Sequence, residues 1–119
     1  MTAALGLALA AAVALAPGEV ERPAAALRGL DKFSGLTADF TAPVGAEVTY
    51  ERLLVKVLGC RDEPGGDAAA YIEIRDAKSP ETLDFAGWII ASSPALSALD
   101  HPRYDVWLIS CSTTSGEAS

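Results

Sequence analysis

The sequence predicts an all-β, mostly antiparallel domain, a small sandwich or partly open barrel with one short helix and a single disulfide. Three observations carry this. Short runs of alternating or wholly apolar residues recur along the chain, each closed by a turn built on Gly, Pro or charge. Beyond the first segment no apolar period of 3.6 lasts long enough for the crossover helix of an α/β unit. Each of the two cysteines, Cys60 and Cys111, closes an apolar strand.

The 119-residue chain opens on residues 1–16, which carry no charged side chain and end in the small-x-small triplet Ala14-Leu15-Ala16. That run is too short to span a bilayer as a helix and suits a signal peptide, so export to the periplasm is expected. Residues 17–34 are mixed, contain Pro23 and Gly29, and are expected to form a mobile arm that orders only near Leu30. Leu27, Leu30 and Phe33, spaced at three, would allow a short helical turn or a docked arm there. The β domain is assigned to residues 35–111, and the small polar residues 112–119 to a disordered tail.

Strands then follow in order. Ala38, Phe40 and Ala42 alternate with Asp39 and Thr41 before a Pro43-Val44-Gly45 turn. Val48 to Tyr50 reads as a short strand. Leu53 to Cys60 reads as a longer one, with Leu53, Val55 and Val57 on one face and Leu54, Lys56 and Leu58 on the other. Arg61 to Asp67 is charged and broken by Pro64-Gly65-Gly66, an exposed loop. Ala70, Ile72 and Ile74 alternate with Tyr71, Glu73 and Arg75, the pattern of a half-exposed strand.

From Phe85 to Ala91 both parities are apolar, and the same holds from Tyr104 to Cys111 except at Asp105, near a strand end where it can reach water. In the second run Tyr104, Val106 and Leu108 share one face, with Trp107, Ile109 and Cys111 on the other. Strands without a charged or polar face are expected to be central, or to lie under a partner. Between them Ser93 caps a helix starting at Pro94, Leu96 and Leu99 share its inner face, and Pro102 ends it.

Few residues offer chemistry. Two strand-end cysteines in an exported domain are most economically a disulfide, with two buried thiols as the alternative. A lone His101 cannot complete a zinc site, and Gly65-Gly66 lies in no phosphate-loop pattern, so neither metal nor cofactor is expected. His101 beside Asp100, with Ser92, Ser93 and Ser97 nearby, keeps a hydrolase-type enzyme as the alternative function. The favoured function is non-catalytic docking onto another envelope protein, with Trp88, Leu96, Leu99, Tyr104 and Trp107 as candidate contact residues. A net charge of −7, from 9 basic and 16 acidic residues, excludes nucleic acid and bare anionic lipid as partners.

The stretch GW--ASSPALSAL-HP-YDVWL and the closing Cys111 resemble the signature of the DUF2155 family. Upstream, Leu30-Asp31-Lys32, Ser34-Gly35, Pro43-Val44-Gly45 and Cys60 follow the same order. The likeness covers residues 28–111, with a shorter and less proline-rich loop after Cys60. It implies an exported protein with a Cys60–Cys111 pair and carries no assigned activity. The family's genes resemble neighbours of one for an accessory subunit of respiratory complex I, which implies a respiratory membrane complex as a candidate partner.

Overall fold

A computed structural model describes residues 18–93 and 99–114, and every strand pairing among them is antiparallel. In chain order the strands are β1 (Val20–Glu21), β2 (Ala24–Asp31), β3 (Thr37–Pro43) and β4 (Glu47–Tyr50). They are followed by β5 (Leu53–Asp62), β6 (Ala68–Asp76), β7 (Leu83–Ile90) and β8 (Tyr104–Ser112). One sheet runs β1-β5-β6-β7, with β4 pairing the other half of the β5 edge that β1 uses; the second runs β3-β2-β8. The two sheets stay separate, so the fold is a sandwich rather than a closed barrel.

Alternation builds the core. Leu53, Val55 and Val57 of β5 and Ala70, Ile72 and Ile74 of β6 point inward, where they join Leu27 of β2 and Val106 and Leu108 of β8. Each Val, Leu or Ile side chain among them contributes about 1.5–3 kcal/mol by leaving water. The predicted alternations of β6 and of β5 as far as Val57 are observed, whereas in β3 only Ala42 is buried and Ala38 is exposed.

Residues 24–31 depart most from expectation. Expected as part of a mobile arm, they form β2, the middle strand of the second sheet. Their small side chains, which look like weak strand formers, are what close packing demands. Ala24, Ala25 and Leu27 are fully buried. Gly29 lies under the Tyr50 ring, where an added Cβ would stand 2.4–2.7 Å from ring carbons. Leu27 and Leu30 are strand residues and Phe33 lies in the following turn, so the helical turn is not formed.

The two doubly apolar strands are not central. β7 and β8 each pair on one side only and form edges of their sheets among the described residues. Their outward tryptophans are relieved by long neighbours rather than by another layer. Trp88 packs its ring edge-on to Tyr71, with the Arg61 guanidinium 4.6 Å from the ring centroid, and Trp107 stands opposite Arg28 in register.

Cys111 also changes face. Where β8 pairs β2, Leu27 meets Leu108 and Ala26 meets Ser110, so Ile109 is an extra residue. Where β5 pairs β6, Val57 meets Ile72 and Gly59 meets Tyr71, so Leu58 is extra. Each bulge inverts the alternation that follows it. Cys111 therefore leaves the Trp107 face, Cys60 turns inward with it, and the two form a disulfide across the sheets with Cα atoms 5.7 Å apart. Leader residues 1–16 lie outside the described residues, as do residues 94–98 of the expected helix; Leu99 and Asp100 are irregular. Of the expected tail, Ser112 ends β8 and its hydroxyl bonds Thr114, and residues 115–119 are outside the description.

Candidate functional site

The end of the sandwich away from the disulfide gathers four connections: the β2–β3 turn, the β4–β5 turn, the β6–β7 turn and residues 99–103. His101 joins them. It is 4% exposed, and its Nδ1 accepts the backbone N–H groups of Arg103 and Tyr104 at 3.0 and 3.2 Å. A nitrogen that accepts carries no proton, which assigns the proton to Nε2. Nε2–H then donates to Asp76 Oδ2 at 3.0 Å. Asp76 also accepts from Arg52 Nε at 2.9 Å and from the Lys78 backbone N–H at 2.9 Å. The Arg52 guanidinium first, then His101 and that N–H, hold the Asp76 carboxyl well below the usual carboxylate range.

A second pair closes the other side. Asp31 accepts from Arg103 Nε at 3.1 Å and from the far guanidinium nitrogen at 2.9 Å, which lowers its pKa to about 2. Lys32 fastens the β2–β3 turn to the same segment. Its backbone N–H donates to the Arg103 carbonyl at 2.8 Å and its Nζ to the His101 carbonyl at 2.7 Å. Tyr104 packs against the His101 ring, and Arg103 spreads between the rings of Tyr104 and Phe33. Among the described residues no buried side-chain polar atom lacks a partner.

The arrangement has little room for other chemistry. Asp76, Asp84 and His101 bring one ligand atom each within 4.8 Å of one another. Yet Nε2 bears a proton directed at Asp76, and Asp76 is engaged by a guanidinium, so the donor set does not suit a cation. Ser92 lies at the opposite end, where its hydroxyl donates to Asp67 Oδ2 at 2.6 Å and lowers the pKa of that carboxyl. Ser93 N–H bonds the Ile90 carbonyl, and Ser97 lies outside the described residues. Among the described residues no serine oxygen is bonded to His101.

The candidate contact residues separate. Trp88 is 44% exposed on the outer face of the first sheet, whereas Trp107, partly buried, is on the outer face of the second. The rings occupy opposite sides of the sandwich and cannot form one patch. Leu99 and Tyr104 are buried in the core, where they hold the 99–104 segment down rather than offering it to a partner. Leu96 lies outside the described residues.

Sequence reading missed the most exposed large apolar side chains of this end, Phe33 and Leu36, at 73% and 71%. The signal was in Asp31-Lys32-Phe33-Ser34-Gly35-Leu36, where an Asp and a Ser each precede by two the N–H they cap. Asp31 Oδ1 accepts Phe33 N–H at 2.9 Å and Ser34 Oγ accepts Leu36 N–H at 3.2 Å.

Two of the stretches that carried the family resemblance, Leu30 to Gly35 and His101 to Tyr104, thus meet in space. Comparison with known proteins agrees in part. No curated protein matches the sequence, and no solved structure does. The model of one family, described as "Uncharacterized protein conserved in bacteria (DUF2155)", matches residues 25–111. The chain belongs to the DUF2155 family.

Proposed function

We infer that the protein is a non-catalytic accessory protein of the periplasm that docks onto another envelope protein, in or on the inner membrane. A respiratory membrane complex is the partner that the family resemblance favours. One observation supports the reading most. The chain's single histidine is spent on Asp76 and on two backbone N–H groups, while Phe33, Leu36 and Trp88 stand at the surface of a braced frame. All six arginines are in salt bridges within the fold, so the residual negative charge is left to face the surroundings. A disulfide across the sheets suits an oxidising compartment. The hydrolase alternative needs a serine hydroxyl on a ring nitrogen of His101, and both nitrogens are bonded elsewhere.

Native electrophoresis of the gently solubilised envelope, with the protein detected by antibody, tests the reading. Docking places it in a band far larger than its own 12.3 kDa. Migration wholly as the free chain contradicts it.

A further inference from the structure

We propose that the Phe33/Leu36 turn is the docking element itself, and that it inserts into an apolar pocket of a partner protein rimmed by lysine or arginine. The proposal rests on the docking reading above and names its surface and the chemistry of its partner.

The turn is built to hold its shape. Asp31 N–H bonds the Leu36 carbonyl at 2.9 Å, Gly35 N–H bonds the Asp31 carbonyl at 2.7 Å, and Gly35 takes a φ of +79° that favours glycine. With the Asp31 and Ser34 caps and both Lys32 bonds, little freedom remains to be lost on binding. The two side chains it presents are nevertheless the most exposed large apolar groups described in the chain. The Arg103 guanidinium, 4.9 Å from the Phe33 centroid, supports that ring from beneath. Both described chain ends leave from the opposite end of the sandwich, Val20 beside Asp62 and Ser112 beside Ala24, so nothing of the described chain covers the turn.

Charge selects the partner. The same end carries Glu51, Glu81, Asp84 and Asp100, all exposed and none within salt-bridge distance of a cation among the described residues. Against these four carboxylates stand two ammonium groups, Lys78 and the Lys32 amine already bonded to a carbonyl. An anionic bilayer would be repelled by this rim, and so would the same end of a second copy. A basic-rimmed pocket would be attracted. Glu51 adds an independent sign. It occupies a φ of +54° in a two-residue hairpin, where glycine would relieve the backbone, yet the position carries a carboxylate.

A photo-reactive amino acid placed singly at positions 33, 36, 88 and 107 of the full chain, in its native envelope, tests this. Positions 33 and 36 should give protein adducts whose mapped peptides hold apolar residues with Lys or Arg close by. With the probe at 36, Phe33→Ser should cut the yield at least tenfold. Glu51→Gly should cut it several-fold while leaving the thermal midpoint equal or higher, which separates lost docking from lost folding. Lipid adducts, adducts to a second copy, mapped peptides without basic residues, or no adduct from 33 and 36 overturn the proposal. Adducts from 88 or 107 alone overturn the turn as the docking element and leave the docking function standing; none from any position removes both.

Discussion

Leu58 and Ile109 occupy equivalent places: each is a single extra residue in its strand, two positions before a cysteine, and each is exposed. Together they turn Cys60 and Cys111 onto the inner faces of opposite sheets. Without the bulges both thiols would point to solvent on opposite sides of the sandwich.

Deleting either Leu58 or Ile109 is therefore expected to prevent the disulfide. Thiol titration under denaturing conditions should find two reactive cysteines in the deletion chain and none in the wild type. Replacing both cysteines with alanine should cost roughly 4 kcal/mol on the chain-entropy estimate, for a sequence separation of 51, measured by urea unfolding.

Gly29→Ala places a methyl group against the Tyr50 ring, which is stacked on Phe40 and edge-on to Tyr104. An overpacking cost of about 1–3 kcal/mol is expected. Tyr50→Leu should absorb part of it, so the double-mutant cycle should show coupling between the two sites.

His101→Ala removes the acceptor of two backbone N–H groups and a donor to Asp76. A loss of about 3 kcal/mol is expected from the donors left unsatisfied. Leu99→Ala and Tyr104→Ala should each cost about 2–5 kcal/mol as core truncations. Trp88→Ala, on the outer face, should cost about 1 kcal/mol or less. Chemical denaturation of the four variants checks the order.

Asp31 and Asp76 set the acid limit of the fold. Both carboxyls have folded-state pKa values below the ordinary 3.8, Asp31 at about 2 and Asp76 depressed further. A depressed carboxyl contributes stability that is present above its unfolded pKa and lost as pH falls through its folded one. Stability should therefore be flat above about pH 5 and fall between about pH 4 and pH 2 and below. Asp31→Asn and Asp76→Asn should each lower the plateau and flatten that fall in urea midpoints measured against pH.

What was legible in the sequence was what alternation states directly, the faces of β6 and of β5 as far as Val57 and the all-β class, together with the cysteine pairing, which rested on two strand ends and not on their faces. Three things were not. β2 was hidden because Ala24, Ala25 and Gly29 signal closeness to neighbours, and those neighbours, such as Tyr50 over Gly29, are known only once the sheets are packed. A period-two count puts Cys111 on the Trp107 face because a bulge leaves no mark in it. The separation of the candidate contact residues Trp88, Leu96, Leu99, Tyr104 and Trp107 was not legible, because two doubly apolar strands adjacent in the chain fall in different sheets and present their tryptophans to opposite sides. The role of His101 was half visible: Pro102 fixes the bend that points Arg103 and Tyr104 N–H back at the ring, but Asp76 arrives from a distant hairpin.

Native mass spectrometry of the protein purified from the envelope at its natural expression level tests docking most directly. The expected result is a complex of fixed stoichiometry with a different protein chain, lost in Phe33→Ser/Leu36→Ser while that variant keeps the wild-type urea midpoint. A single species at the mass of the free chain, in the wild type, would contradict it.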